Sequence, residues 1–202
     1  LRNSSAASDV YKRQSSYFKG ERFNALAKKE GFRSRAAYKL IQIQKDFKLI
    51  KSGDNILDLG SAPGGWSQVA SNILSGSGSI IAIDLLPMKK ITNVDFHQLD
   101  LNDIDKINLR EISIVLSDIA PNISGVNIID DENMIALLEI EISIVDKFLQ
   151  IGGKYLCKCF EGSSLDFLTN KLKDRFEIIK RIKPDASRST SKECYILGIK
   201  KK

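Results

Sequence analysis

The residues best suited to chemistry stand where short apolar runs stop. Leu57-Asp58-Leu59-Gly60-Ser61-Ala62-Pro63-Gly64-Gly65-Trp66 puts a glycine-rich turn between a strand-like and a helix-like stretch, where a ligand can approach the backbone closely. Asp84, Asp100 and Asp118 each follow a short strand-like run. In open α/β sheets ligands bind at the carboxyl ends of strands, so these three acids sit where a ligand is expected. A dinucleotide suits the turn poorly. Ala62 stands where a second glycine would admit the pyrophosphate, and Pro63 removes an amide donor. S-adenosylmethionine has no phosphate to cradle. It needs room for its methionine part and a carboxylate for its ribose hydroxyls. Asp84 is placed for the ribose and Asp100 for the adenine amino group, and Asp58, Gly60, Gly64, Trp66 and Asp118 complete the expected cofactor set.

The elements that must carry these residues follow from periodicity. Ser34 is positioned to cap a helix with Ala36, Ala37, Leu40 and Ile41 inward. Strands are expected over Asn55–Leu59, Ser79–Ile83, Val94–Leu99 and Ile112–Ser117. Pro63 suits the first turn of a helix whose face is Trp66, Val69, Ala70, Ile73 and Leu74. Residues 132–149 can be read two ways: Glu139–Ile144 alternates like a strand, while Met134, Leu138, Ile142, Val145 and Leu149 form a helical stripe. Helix is the better reading, because parallel strands need a crossover of about a dozen residues or more. A strand over Lys154–Phe160, a helix over Ser163–Lys173, and strands over Phe176–Arg181 and Cys194–Ile199 follow. The last two are joined by a loop and should pair antiparallel. The expected architecture is α/β: a Rossmann-like, seven-stranded, mostly parallel sheet with an antiparallel last strand and helices on both faces.

The chain has 202 residues, enough for one α/β domain with extensions. Three cysteines without a CxxC pattern argue against a disulfide scaffold or a zinc ribbon, and no metal is expected. No apolar run reaches the roughly 18 residues of a membrane span, so no membrane partner is expected. The net charge of +6 is segregated. Residues 1–52 hold 13 Lys+Arg and 4 Asp+Glu, residues 53–179 hold 10 and 19, and residues 180–202 hold 8 and 2. Basic ends around an acidic middle read either as solvated faces or as a nucleic-acid footprint built from both ends. The first 14 residues, LRNSSAASDVYKRQ, begin with Leu and lack an apolar periodic face. They read as a non-native segment, residues 15–52 as a basic helical extension, and residues 53–202 as a catalytic domain.

Five motifs in order resemble one family. They are Arg33-Ser34-Arg35-Ala36-Ala37-Tyr38-Lys39-Leu40, the stretch Asp58–Gln68, Asp84-Leu85-Leu86-Pro87-Met88, Ser117-Asp118-Ile119-Ala120-Pro121-Asn122, and Lys183-Pro184-Asp185-Ala186-Ser187-Arg188. Together they resemble the FtsJ/RlmE family of ribosomal RNA large-subunit 2′-O-methyltransferases, from about Tyr17 to Lys200. The resemblance implies S-adenosylmethionine as cofactor and a uridine ribose of large-subunit ribosomal RNA as methyl acceptor. It further implies a cytoplasmic enzyme that contributes to large-subunit maturation, and a monomer is expected. The family's Lys-Asp-Lys-Glu tetrad falls on Lys39, Asp118, Lys158 and Glu193. Topology offers a check. Neighbouring fourth and fifth strands would bring Asp118 and Lys158 together, and an antiparallel seventh strand would start with Glu193 at the same edge. Lys39 must arrive from the N-terminal helix.

The residue types suit the reaction. A ribose hydroxyl is a poor nucleophile, and the enzyme must align it and handle one proton. A free lysine, with a pKa of about 10.4, is mostly protonated at neutral pH. Burial and a second cation are what turn lysines into general bases, and Lys39 would be that cation for Lys158. Arg22, Lys28, Lys29, Arg33 and Arg35, with Phe18, Phe23, Phe32 and Tyr38 interleaved, form one basic cluster. Lys180, Arg181, Lys183, Arg188 and Lys192 form another. Both lead into tetrad residues, so an RNA surface should border the active edge. A ribosome-assembly factor that lost catalysis and a small-molecule methyltransferase remain the competing readings.

Overall fold

In a computed structural model of the chain, residues 21–109, 111–122, 124–187 and 191–202 are described. The segment 1–14, Phe18 and Arg188 lie outside the described residues. Among the described residues seven strands run in chain order: β1 (Asn55–Leu59), β2 (Ser79–Asp84), β3 (Asp95–Gln98), β4 (Ile112–Ser117), β5 (Leu149–Phe160), β6 (Phe176–Ile182) and β7 (Glu193–Lys201). They form one sheet in the order β3-β2-β1-β4-β5-β7-β6. β1 to β5 pair in parallel, and β7 is antiparallel to both β5 and β6, as expected from the missing helix between the last two strands. The chain winds outward from β1 to β3 and then returns to β4. The strand order therefore reverses between β1 and β4, and a crevice is expected beyond their carboxyl ends. Gly60 and Asp118 occupy those two ends.

Strand alternation assigns the side chains to two layers. Ile56, Leu116, Leu156 and Leu197 pack with Leu40 and Ile43 of α2 (Ala37–Phe47) and Trp66 and Val69 of α3 (Gly65–Leu74). Leu57, Val115, Cys157 and Ile196 pack on the opposite face with Met134 and Leu138 of α4 (Asn127–Phe148) and Leu168 of α5 (Ser163–Lys173). A further helix, α1, covers residues 21–30 and meets α2 through Phe23, whose ring centroid lies 5.3 Å from that of Tyr38.

Several boundaries differ from the sequence reading, each for a local reason. Ser34 does not cap α2. The cap position falls to Ala36, and Ser34 packs against Gly65, where a Cβ would come within 2.3 Å of its Oγ. α3 starts at Gly65, two residues after Pro63. α4 starts at Asn127 rather than 132, because the Asp130 carboxylate gathers the N–H groups of Ser124 and Gly125 just before the helix. β5 starts at Leu149 rather than Lys154. Its register against β4 shifts around Gly152, which takes φ +77°. β3 is shorter than expected, at Asp95–Gln98.

Candidate active site

Alternation decides which side chains reach the crevice. Asp118 has the parity of Leu116, Lys158 that of Leu156, and Glu193 that of Leu197, so all three project to the α2 face. Lys39 enters from α2. Its Nζ lies 2.5 Å from Glu193 Oε1 and 3.8 Å from Asp118 Oδ1. Lys158 Nζ lies 3.2 Å from Asp118 Oδ1 and donates to the Asp118 backbone carbonyl at 2.5 Å. The four residues thus form three ion pairs, Lys39–Glu193, Lys39–Asp118 and Lys158–Asp118, the last two sharing Asp118. Both lysines are buried, at 6% and 8% exposure, so neither is a solvated surface charge.

Tyr195 ties these pairs together, and the sequence reading missed it. Its hydroxyl accepts from Lys39 Nζ at 2.9 Å and lies 2.6 Å from Asp118 Oδ1 and 3.2 Å from Glu193 Oε1. One hydroxyl proton can serve only one of these carboxylates at a time. Tyr195 sits two residues after Glu193 on β7, so strand alternation was the available signal. Burial pushes its phenol well above the ordinary range, with the Asp118 and Glu193 charges adding to this. Burial also pushes Glu193 upward. The charge and hydrogen bond of Lys39 oppose that, joined by Lys158 and by Ser187, whose Oγ donates at 3.1 Å, and leave Glu193 below the ordinary carboxylate range.

The expected cofactor residues, except Gly64, which lines neither, divide between two connected cavities. One, of about 460 Å³, is bounded by Asp84, Leu86, Asp100, Leu101 and Ile119. The other, of about 260 Å³, is bounded by Arg35, Lys39, Asp58, Ser61 and Trp66. Gly60, Ala62 and Asp118 line both, so they meet beside the tetrad. Asp84 accepts the N–H of Ala62 at 2.8 Å and of Leu86 at 2.8 Å. Asp100 uses Oδ1 for Asn102, capping the short 3-10 turn Leu101–Lys106. Each carboxylate keeps acceptor capacity for a ligand hydroxyl or amino group. An apolar slot of this volume with an acid at each of two strand ends fits a ribose and an adenine.

Glycine serves the loop differently from the expected close ligand approach. Gly60 takes φ +65°, and a Cβ there would stand 2.0 Å from Ile119 Cγ1. Gly64 takes φ +108°, and its open side is filled by Ile91, Met88 and Arg33. Trp66 is buried, donates from Nε1 to the Ala36 carbonyl at 2.9 Å, and has its ring centroid 5.8 Å from that of Tyr195. It packs α3 onto α2 and forms a cavity wall. Asp58 is also buried and accepts from Ser67 Oγ at 2.5 Å. Burial pushes its pKa up to about 7. The Ser67 bond pulls it back, and the Asp118 and Asp84 charges push it further up.

A profile of the FtsJ-like methyltransferase family matches residues 32–201. The chain belongs to the FtsJ-like methyltransferase family. It is 44% identical over 183 residues to the ribosomal RNA large subunit methyltransferase E of Coxiella burnetii, covering 85% of this chain and 86% of that protein. It is 40% identical to the protein of the same name from Acinetobacter baumannii, covering 87% and 85%. Among solved structures it is similar to a ribosomal RNA methyltransferase of Plasmodium falciparum, with a TM-score of 0.75, 31% identity, and coverage of 84% of this chain and 98% of that one. An Aeropyrum pernix fibrillarin crystallised with S-adenosyl-L-methionine shares the fold, at a TM-score of 0.61, 19% identity, and coverage of 88% and 76%.

This FtsJ-like methyltransferase carries its exposed basic residues partly where the sequence put them. Arg22, Lys28 and Lys29 are exposed on α1, and Lys180, Arg181, Lys183 and Lys192 at the β6–β7 edge. Arg33 belongs to the loop architecture instead. Its guanidinium donates to the carbonyls of Pro63, Lys89 and Lys90, at 3.1, 2.6 and 2.8 Å. Phe23 and Phe32 pack on Tyr38, so they build the α1–α2 junction. Lys200–Lys202 lie at the opposite end of the sheet. Lys201 Nζ donates to the carbonyls of Val145, Asp146 and Leu149, closing the end of α4. The basic C-terminal segment therefore splits between an active edge and a structural end.

Proposed function

We propose that this chain methylates the 2′-hydroxyl of a uridine ribose in large-subunit ribosomal RNA, as a cytoplasmic monomer contributing to large-subunit maturation. The observation that carries the reading is the convergence of Lys39, Asp118, Lys158 and Glu193 where the two cavities meet. When bound, S-adenosylmethionine supplies a methyl group on a positively charged sulfur. Asp84, Asp100, Gly60 and Asp118 would hold it along the larger cavity, Asp58 and Trp66 would do so from the smaller, and Gly64, which lines neither, would act by shaping the loop. The relatives named for large-subunit ribosomal RNA, together with the exposed lysines and arginines around the active edge, support an RNA acceptor.

The tetrad aligns the hydroxyl and handles its proton. Lys158 accepts or steers that proton, because Asp118 fixes its nitrogen through both a carboxylate oxygen and a backbone carbonyl. Lys39 is fixed by Glu193 and Tyr195, and supplies a second positive group beside Asp118. Such preorganised charge is worth more in a water-poor cleft than in solution. The test is labelled-methyl transfer to large subunits lacking the modification, followed by mapping of the modified ribose. Lys158→Ala should abolish transfer while cofactor affinity stays within a fewfold of wild type. Transfer at the wild-type rate by that variant would overturn the assignment. Cofactor binding by the wild type without any transfer would favour an assembly factor.

A further inference from the structure

A carboxylate stands in the core directly behind the tetrad. Glu141 of α4 is fully buried, on the face of the sheet opposite Lys39. Ser117 Oγ donates to its Oε1 at 2.8 Å, and Tyr155 Oη donates to its Oε2 at 2.6 Å. Ser117 ends β4 immediately before Asp118, and its Oγ in turn lies 3.5 Å from the Ile119 N–H. The Ser117 hydroxyl therefore brackets Asp118 from both sides. Tyr155 belongs to β5, three residues before Lys158, and Ser117 is in register with Cys157. One side chain thus joins β4 to β5 at the end from which Asp118 and Lys158 emerge.

We propose that Glu141 is a positioning residue: its carboxylate braces β4 against β5 beneath the Asp118–Lys158 pair, and methyl transfer depends on that brace. The ionised carboxylate accepts both hydroxyls, whereas a protonated acid has lost part of that acceptor capacity. Burial pushes the Glu141 pKa up to about 7, against the hydrogen bonds from Tyr155 and Ser117 and the charge of Lys158. The groups facing it are Ser117 from β4 and Tyr155 and Cys157 from β5, with Lys158 acting from the far side of the sheet. α5 brings apolar Leu168 and Leu172 to the same core. Burial pushes both Tyr155 and Cys157 well above their ordinary ranges, so neither ionises near neutral pH. The brace should therefore tighten as pH rises through neutrality.

The test rests on the functional reading above and measures kcat and cofactor KM from pH 6 to 8.5 for wild type, Glu141→Gln and Tyr155→Phe. The amide introduced by Glu141→Gln is neutral at every pH. The ratio of wild-type to variant kcat should rise from near one at pH 6 to roughly three- to tenfold at pH 8.5, the scale of one net hydrogen bond, with cofactor KM within about twofold. Asp58 titrates in the same range in both proteins and cancels in the ratio. Tyr155→Phe keeps the carboxylate but removes a donor that stabilises its charge, so the pH step should move upward. A pH-independent ratio for Glu141→Gln, or an unmoved step in Tyr155→Phe, overturns the inference while the functional reading stands. A wild-type protein without transfer overturns both.

Discussion

Asp58 gives the sharpest test of how burial controls this fold. It is 1% exposed, and its one hydrogen-bond partner among the described residues is Ser67. Burial first, then the charges of Asp118 and Asp84, lift its pKa to about 7 against the pull of Ser67, whereas an unfolded Asp titrates near 3.9. The difference is about three units, or roughly 4 kcal/mol at 1.36 kcal/mol per unit. Between the two values the folded chain binds more protons than the unfolded one, so this contribution is complete below about pH 4 and is lost as pH rises to about 7. Asp58→Asn keeps an oxygen for Ser67 and cannot ionise. Relative to wild type, the variant should be equally stable near pH 4 and gain steadily above it, reaching up to ~4 kcal/mol above pH 7.5. Glu141 contributes a slope of the same sign to both proteins and cancels. Urea unfolding of both proteins at pH 5, 6, 7 and 8, with m-values compared, reads the difference. A stability difference that stays constant across that range, or runs the other way, would refute the reasoning.

Two further outcomes follow from the loops around the cavities. Gly60→Ala forces φ +65° on an alanine and drives its Cβ to within 2.0 Å of Ile119. It should cost about 1–3 kcal/mol in thermal unfolding and weaken cofactor binding in calorimetry roughly tenfold or more. Arg33→Ala removes the clamp between Pro63 and the Lys89–Lys90 carbonyls, so cofactor affinity should fall while the salt dependence of RNA binding keeps its slope. Replacing Arg22, Lys28 and Lys29 together should do the reverse, lowering the slope of log K against log salt by roughly two.

The division between what the sequence revealed and what it hid follows from the range of the interactions involved. Strand ends are local features, so Asp118, Lys158 and Glu193 were already expected at one edge of the sheet, and the missing helix before β7 already made that strand antiparallel. Strand alternation from Glu193 reaches Tyr195, whose phenol hid among the apolar residues of β7 because nothing local distinguishes a bridging tyrosine from a packed one. Lys39 depends on how α2 docks, and that docking is set by contacts 30 residues away, such as Trp66 Nε1 on the Ala36 carbonyl. Local cues also failed at Ser34, because the space made by Gly65 drew its side chain away from the cap position. The ambiguity at Glu139–Ile144 is the most informative. α4 reads as strand-like there because a carboxylate, Glu141, occupies its core face between apolar neighbours. An apolar residue at that position would have made the helical stripe plain. Its departure from the pattern lies directly behind Asp118 and Lys158, where a break in binary patterning is expected to serve a site rather than the core.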